Sequence, residues 1–148
     1  MRVKMWAVFA AALFINILIV PDVYSQQAIS HFALEHFKRS VEYLMVGDYQ
    51  NALLASNQLI RSDPHSAINY VIRARALFEM ADFERVITDC TQAIRLDRNN
   101  SAAYVIRGNA HAQRGALSRA ISDWEAALRI NPNIAEARQN IELARQQN

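Results

Sequence analysis

The sequence predicts an all-α fold, an α-solenoid of three stacked helix pairs closed by a single final helix. Three observations predict it. Residues 33–134 repeat with a period of 34, each copy carries two amphipathic helical patterns, and the 148 residues include only three Gly and three Pro, which argues against a turn-rich all-β fold. With 52% hydrophobic and 20% charged residues, the chain has enough apolar material to form a core, which excludes wholesale disorder.

The repeat consists of three copies that align without gaps, residues 33–66, 67–100 and 101–134. Five columns of the alignment recur: aromatic or His residues, small residues, large apolar residues, and two further columns of small or short residues. In order, these columns hold His36, Tyr70 and Tyr104; Ser40, Ala74 and Gly108; Tyr49, Phe83 and Leu117; Ala52, Val86 and Ala120; Leu59, Ala93 and Ala127. Small residues let two helices approach closely, so we expect Gly108 to lie opposite Ala120.

Each copy contains two helices. In the second copy, apolar residues follow a helical spacing twice, at Tyr70, Ala74, Leu77 and Phe78 and then at Phe83, Val86, Ile87, Cys90, Ala93 and Ile94. The breaks within the pairs fall at residues 47–48, 81–82 and 115–116, and the junctions between copies at residues 63–64, 97–100 and 131–133. Gly suits the left-handed end of a helix, and Asp, Asn and Pro are typical of turns and N-caps. Arg98 stands where the other copies have Pro, which weakens that turn without removing it.

These columns resemble the tetratricopeptide repeat (TPR), whose pattern has an aromatic residue, a small residue four positions later, two Ala residues seven apart and a Pro near the end. The resemblance covers residues 33–134 and implies a right-handed stack that is concave on the side of each first helix. We therefore assign TPR 1 to residues 33–66, TPR 2 to 67–100 and TPR 3 to 101–134, after a short N-terminal segment at 26–32. Residues 135–148 form a capping helix and tail, with one apolar stripe at Ile134, Ala137, Ile141 and Ala144.

The N-terminus has the layout of a secretory signal. Residues 5–20 are an apolar run preceded by Arg2 and Lys4, and Val23 and Ser25 suit the positions before a cleavage point. We expect residues 1–25 to be a signal peptide cleaved after Ser25, so that the protein is exported and is periplasmic or secreted. The alternative is an uncleaved anchor, but the run is shorter than the roughly 20 residues that span a bilayer.

No catalytic, cofactor or metal site is predicted. The four histidines lack the spacing of a metal-binding pair, and His36 and His111 occupy columns filled elsewhere by Tyr or Leu, which favours packing. The single cysteine, Cys90, excludes an intrachain disulfide and a cysteine-based zinc cluster, and it fits a small buried residue better than a nucleophile. A net charge of +2 with scattered arginines does not indicate nucleic acid as a partner.

One charged feature repeats. Arg39, Arg73 and Arg107 lie 34 residues apart, and Asp89 and Asp123 follow the last two by 16 residues. We favour the interpretation that each arginine pairs with the aspartate of its own copy. The alternative is that the arginines form a row that binds carboxylates of a ligand. The first copy has Ala55 in place of the aspartate, which leaves Arg39 freer than the others.

The resemblance implies that ligands bind in the concave groove. Its columns hold Leu34, Phe37, Val41 and Leu44 in the first copy, Ile68, Val71, Arg75, Phe78 and Glu79 in the second, and Ala102, Val105, Asn109 and Gln113 in the third. Chaperone-binding members grip a C-terminal carboxylate with Lys, Asn and Arg. Those columns here hold Phe37, Val41, Ile72, Ala102 and Ile106, so we expect cytosolic chaperone tails to be an unsuitable ligand.

Two functions follow as hypotheses. The first is a non-enzymatic interaction module that binds a peptide or helix of a partner protein and helps to assemble an exported or envelope complex. The alternative is a structural protein that self-associates into a homodimer, with its groove occupied by its own chain; residues 26–32 are one segment able to cover the apolar groove residues. An enzyme with an unrecognised site is the weakest hypothesis. No cofactor is expected, and a membrane is contacted only through an uncleaved signal segment.

Overall fold

A computed structural model of the protein describes the backbone of residues 20–146 and the side-chain surroundings of residues 31–146. The chain divides into two compact units, residues 1–35 and residues 36–148. Seven helices make up the described part, which contains no strand: α1 (Val20–Met45), α2 (Tyr49–Ser62), α3 (Ala67–Glu79), α4 (Phe83–Leu96), α5 (Ser101–Gln113), α6 (Leu117–Ile130) and α7 (Ala135–Gln146). The all-α prediction is thereby confirmed.

The breaks within the helix pairs lie where the sequence predicts them. Gly47, Ala81 and Gly115 adopt left-handed backbone angles, with φ of 76°, 59° and 74°. The N–H of the next residue bonds back to the carbonyl oxygen five residues earlier at all three breaks, from Asp48 to Tyr43, Asp82 to Leu77 and Ala116 to His111. This is the hydrogen bond that closes a helix with a left-handed residue. The second pair makes the same turn with Ala81, which is strained there relative to glycine.

In two of the three pairs, the residue that follows the left-handed turn is also the N-cap of the next helix. Asp48 accepts from the Asn51 N–H at 3.2 Å, and Asp82 accepts from the Arg85 N–H at 3.1 Å. The third pair has Ala116 at this position and lacks a side-chain cap. Each of these turns therefore ends one helix and starts the next without an intervening loop.

The junctions between copies share one local structure. The side chains of Asp63, Asp97 and Asn131 each accept a hydrogen bond from the N–H two residues later, at 2.9 to 3.0 Å. Because this bond does not depend on the next residue being proline, the turn also forms where Arg98 replaces it. The expectation that Arg98 does not remove the turn is confirmed, and the expected weakening stays a prediction.

From α2 to α7, each helix contacts the next along the chain, and α3 also contacts α5. Two groups of buried residues form the core. The first contains Val71, Ala74, Leu77, Val86, Cys90, Ala93, Ala103, Ile106 and Ala110; the second contains Val105, Ala120, Trp124, Ala127, Ala137, Ile141 and Ala144. The apolar stripe predicted for the final helix is confirmed, since its three alanine and isoleucine members on α7 are buried in the second group.

The small column has the predicted packing role in the third pair. A Cβ atom on Gly108 would lie 2.7 Å from Trp124 Nε1 and 3.2 Å from the carbonyl oxygen of Ala120. Ala120 is therefore a neighbour of Gly108, as predicted, but the Trp124 ring is closer still. Any side chain at Gly108 would have to displace this ring.

The N-terminal predictions fall partly beyond what the structure describes. Residues 1–19, which include most of the predicted signal peptide, lie outside the described residues, as do residues 147 and 148. Residues 26–32, predicted as a short segment, belong to α1, and so does the predicted cleavage point after Ser25. Between residues 20 and 146, no helix combines the length and apolar character needed to cross a membrane.

Candidate functional site

The predicted groove residues lie on the first helices of the pairs, and they differ in accessibility. Phe37 and Ile68 are exposed, at 37% and 47%. The remaining accessible members are half-buried or exposed: Val41, Leu44, Arg75, Phe78, Glu79, Ala102, Asn109 and Gln113. We call this set, with Phe37 and Ile68, the first-helix face.

Three predicted groove residues do not belong to this face. Val71 and Val105 are only 5% and 8% exposed, because they pack into the two core groups and have little surface to offer a partner. Leu34 is 51% exposed, but it belongs to the unit of residues 1–35, whereas the first-helix face belongs to the unit of residues 36–148.

A cleft of about 180 Å³ opens on the first-helix face between α3, α5 and α7. Its lining residues are Arg75, Phe78, Glu79, Ile106, Asn109 and Glu136. Four of these six are predicted groove residues, so the fold brings the second and third copies together at one site. Phe78 and Ile106 supply apolar surface, whereas the other four supply charge or an amide.

Glu136 is the lining residue that the sequence analysis missed. It lies in the first turn of α7, which was assigned only a capping role. Continuing the 34-residue period once past the third copy places Glu136 in the column of Ile68 and Ala102. The repeat pattern itself therefore contained the signal, beyond the point at which the third copy ends.

The amide of Asn109 ties three helices together beside the cleft. Its Oδ1 accepts hydrogen bonds from Trp124 Nε1 at 2.9 Å and from Asn140 Nδ2 at 3.1 Å, and its Nδ2 donates to Glu136 Oε1 at 2.9 Å. Because an indole N–H can only donate, the orientation of the Asn109 amide is determined. Asn109 therefore holds the carboxylate of Glu136 in place.

The charged side chains of the cleft remain unpaired with one another. Arg75, Glu79 and Glu136 form no ion pair within the described residues, although all three line the same space. Phe78 is held from behind by Phe83, edge to face, with ring centroids 5.4 Å apart. The cleft therefore has an apolar floor, and the charged side chains at its walls form no ion pairs with one another.

The arginines at positions 73 and 107 are structural. Arg73 bonds both carboxylate oxygens of Asp89, at 2.8 and 2.7 Å, and Arg107 bonds both oxygens of Asp123, at 2.9 and 2.7 Å. A third donor of each arginine reaches the preceding pair, at Asn57 Oδ1 for Arg73 (2.9 Å) and at Thr91 Oγ1 for Arg107 (3.1 Å). We call each set an arginine clasp: Arg73, Asp89 and Asn57, and Arg107, Asp123 and Thr91. The pairing that we favoured from the sequence is confirmed for these two arginines.

Solved structures establish what this arrangement resembles. No family model matches the sequence, and no curated protein does. The second TPR of Spaghetti (RPAP3) bound to the HSP90 peptide SRMEEVD is 30% identical, with a TM-score of 0.66, over 71% of this chain and 99% of that one. The chain belongs to the tetratricopeptide repeat family.

Other TPR structures agree with this assignment. The first TPR of Spaghetti (RPAP3), bound to the same HSP90 peptide, is 29% identical, with a TM-score of 0.77, over 80% of this chain and 94% of that one. The TPR2B domain of yeast Sti1, in a complex described with pHsp70, is 28% identical, with a TM-score of 0.76, over 80% of this chain and 99% of that one. The predicted family and α-solenoid fold are confirmed by these three structures.

The TPR columns that carry a carboxylate clamp in chaperone-binding members hold no charged residue here: Phe37, Val41, Ile72, Ala102 and Ile106. Ile72 and Ile106 are also buried, at 6% and 8% exposed; Ile72 serves packing, whereas the remaining surface of Ile106 lines the cleft. This TPR chain therefore shares a fold with peptide-bound domains while differing from the clamp at every one of those columns.

Arg39, the first member of the arginine column, differs from its TPR equivalents. It is exposed, and Ala55 occupies the aspartate position of its pair. Within the described residues Arg39 forms no ion pair, so its guanidinium has neither of the clasp partners that hold Arg73 and Arg107.

Cys90 and His111 are packing residues of the TPR core. Cys90 is fully buried, and burial raises the pKa of its thiol to about 12, so the nucleophilic thiolate is inaccessible near neutral pH. His111 is 8% exposed, and burial lowers its pKa from the ordinary value of 6.5. Its Nε2 lies 3.9 Å from an oxygen of Asp123. Within residues 31–146, no group of three or more His, Cys, Asp or Glu side chains is arranged to hold a metal ion.

Proposed function

We propose that this TPR chain is a non-enzymatic interaction module, which binds a peptide or helix of a partner protein on its first-helix face after export. The observation that carries the proposal is the cleft between α3, α5 and α7, where an apolar floor of Phe78 and Ile106 is flanked by unpaired charged groups. Sites for short protein segments combine these two features, since apolar anchors give affinity and polar groups give specificity.

The exposed apolar residues of the same face support an extended ligand. Phe37 and Ile68 leave 37% and 47% of their surface accessible, which provides anchor positions outside the cleft. A ligand longer than one or two residues is able to contact these anchors as well as the cleft. The two Spaghetti (RPAP3) domains bound to the HSP90 peptide SRMEEVD show that TPR domains similar to this one bind short peptides.

The chemistry of the described residues supports binding over catalysis. Cys90, the chain's only thiol, is buried with a raised pKa, and both arginine clasps are internal.

Export is proposed from the apolar run at residues 5–20 and the basic residues before it. The test is fractionation of cells that produce the full chain, followed by N-terminal sequencing. A protein in the exported fraction that begins at Gln26 would support cleavage after Ser25. An exported chain that still begins at Met1 would support the anchor, and a chain retained in the cytoplasm would contradict export.

The binding proposal is tested by affinity capture with crosslinking, read by mass spectrometry. The test variant is Phe37→Glu with Ile68→Glu, because both side chains are exposed and their replacement leaves the core intact. The control is Leu54→Glu, which introduces the same charge at a residue that is 62% exposed on the second helix α2. A partner recovered with the wild type and the control but lost with the test variant would establish binding on the first-helix face.

Two other results would contradict the proposal. Recovery of the same partners with the wild type, the test variant and the control would show that they bind outside the first-helix face. Recovery of the bait alone, with a concentration-dependent size by light scattering that the test variant abolishes, would favour self-association into a homodimer.

A further inference from the structure

The carboxylate of Glu136 is held ready at the edge of the cleft. One oxygen, Oε1, accepts from Asn109 Nδ2, and the Asn109 amide is itself held by Trp124 Nε1 and Asn140 Nδ2. Each donor in this series increases the polarity of the next hydrogen bond. The second oxygen of Glu136 has no protein hydrogen bond within the described residues, although its side chain lines the cleft.

Glu79 adds a second carboxylate to the same space. It lines the cleft from the end of α3 and forms neither a hydrogen bond nor an ion pair within the described residues. Arg75 is the one cation among the six lining residues, and it pairs with neither carboxylate. The cleft therefore has two negative groups against one positive group.

The apolar floor of the cleft suits the stem of a long side chain. Phe78 and Ile106 lie between these charged groups, and Phe78 is held in place by its edge-to-face contact with Phe83. Lysine and arginine combine an aliphatic stem with a terminal cation, so they are able to cover apolar surface while the charge reaches a carboxylate. A volume of about 180 Å³ is of the size of one such side chain rather than of a whole peptide.

We propose that this cleft selects a lysine or arginine side chain of the partner peptide, with Glu136 and Glu79 as the acceptors. The stem of that side chain packs on Phe78 and Ile106, and Arg75 is available to a carbonyl oxygen of the ligand backbone. Preorganisation of Glu136 by Asn109 lowers the ordering cost of binding. This inference rests on the proposed function, since it names the chemistry of the ligand for the same face.

The proposed preference is opposite to that of the similar structures. The HSP90 peptide bound to both Spaghetti (RPAP3) domains, SRMEEVD, has acidic residues at its C-terminal end. A cleft with an excess of carboxylates repels such an end, because like charges at close range raise the free energy of the complex.

The test measures binding of the purified protein to an array of N-acetylated twelve-residue peptides, in which Lys, Arg, Gln or Glu follows an apolar residue at the centre. Acetylation removes the N-terminal amine as a competing cation. The variant is Glu136→Gln, which keeps an oxygen to accept from Asn109 while removing the charge. The control is Glu142→Gln, the same change at an exposed residue of the same helix.

We expect Lys and Arg peptides to bind best, and Glu136→Gln to weaken their binding about tenfold, which is about 1.4 kcal/mol, since the cation of the ligand loses its charged acceptor. Glu142→Gln leaves binding unchanged, and Glu136→Lys moves the preference to Glu peptides. Peptides that bind without preference for a cation, or without response to Glu136→Gln, would overturn this inference and leave the proposed function standing. Binding to none of the peptides, or binding that Phe37→Glu with Ile68→Glu does not reduce, would overturn both.

Discussion

The second and third helix pairs differ from the first in how their helices are joined. Arg73 and Arg107 each bond an aspartate of their own pair and a polar side chain of the pair before, whereas Arg39 lacks this aspartate and is exposed. Copies with the same period and the same small column are therefore not equal in local stability. The clasped pairs also carry the cleft, so the cleft lies between helices whose pairs are joined by an arginine clasp.

The largest expected effect is the loss of a clasp. Asp123→Ala removes both acceptors of Arg107 and leaves a guanidinium that is only 19% exposed without its counter-charge. We expect a loss of about 3 kcal/mol in the free energy of unfolding, measured by urea denaturation. Arg39→Ala removes the equivalent of Arg107 from the first pair, and we expect it to lie within about 0.5 kcal/mol of the wild type. Equal losses for both variants would contradict the comparison.

The next effect tests the close approach of helices α5 and α6. Gly108→Val places side-chain atoms where the Trp124 ring and the Ala120 carbonyl already lie, and we expect a loss of roughly 1–3 kcal/mol and a lower melting temperature. The control is Ala102→Val at an exposed position of the same helix. An unchanged melting temperature for Gly108→Val would show that this contact is not as close as described.

A pH-dependent effect is expected from His111 in the third pair. His111 occupies the column of Tyr43 and Leu77, and burial lowers its pKa in the folded state. Above pH 6.5 it is neutral in both states. As the pH falls below 6.5, the unfolded chain binds a proton that the folded chain resists, so this residue makes stability decrease. We expect the melting temperature of His111→Leu to fall less than that of the wild type between pH 7 and pH 5. An identical pH profile for the two proteins would show that other groups cause the decrease.

The smallest effect is a gain. Ala55→Asp supplies the aspartate that the first pair lacks, and we expect it to add at most about 1 kcal/mol by pairing with Arg39. A double-mutant cycle with Arg39→Ala separates this pairing from other consequences of the change. A gain that persists without Arg39 would show that the new aspartate acts in another way.

The sequence predicted the parts of this fold that depend on local chemistry. Asn100 caps its helix, Gly47 and Gly115 adopt the left-handed angles, and Arg73 pairs with Asp89, because each of these depends on residue type at a short or fixed spacing. These features required no knowledge of how the pairs pack on one another.

The candidate site was less predictable, because it depends on packing between copies. Val71 and Val105 share the column of the exposed Phe37, but contacts with neighbouring helices bury them in the core groups. Glu136 and its bond to Asn109 join residues 27 positions apart across α5 and α7. The repeat period places Glu136 in a groove column, but the burial of the two valines and the bond from Asn109 to Glu136 depend on packing between copies.

The most direct test of the central claim, that the first-helix face binds the partner, is photocrosslinking in cells from single positions. A photoreactive residue replaces Ile68 or Arg75 on this face, or Leu54 or Thr88 on the second helices, all of which are exposed. We predict adducts with a partner protein from positions 68 and 75 and their absence from positions 54 and 88. Adducts confined to positions 54 and 88 would contradict the account.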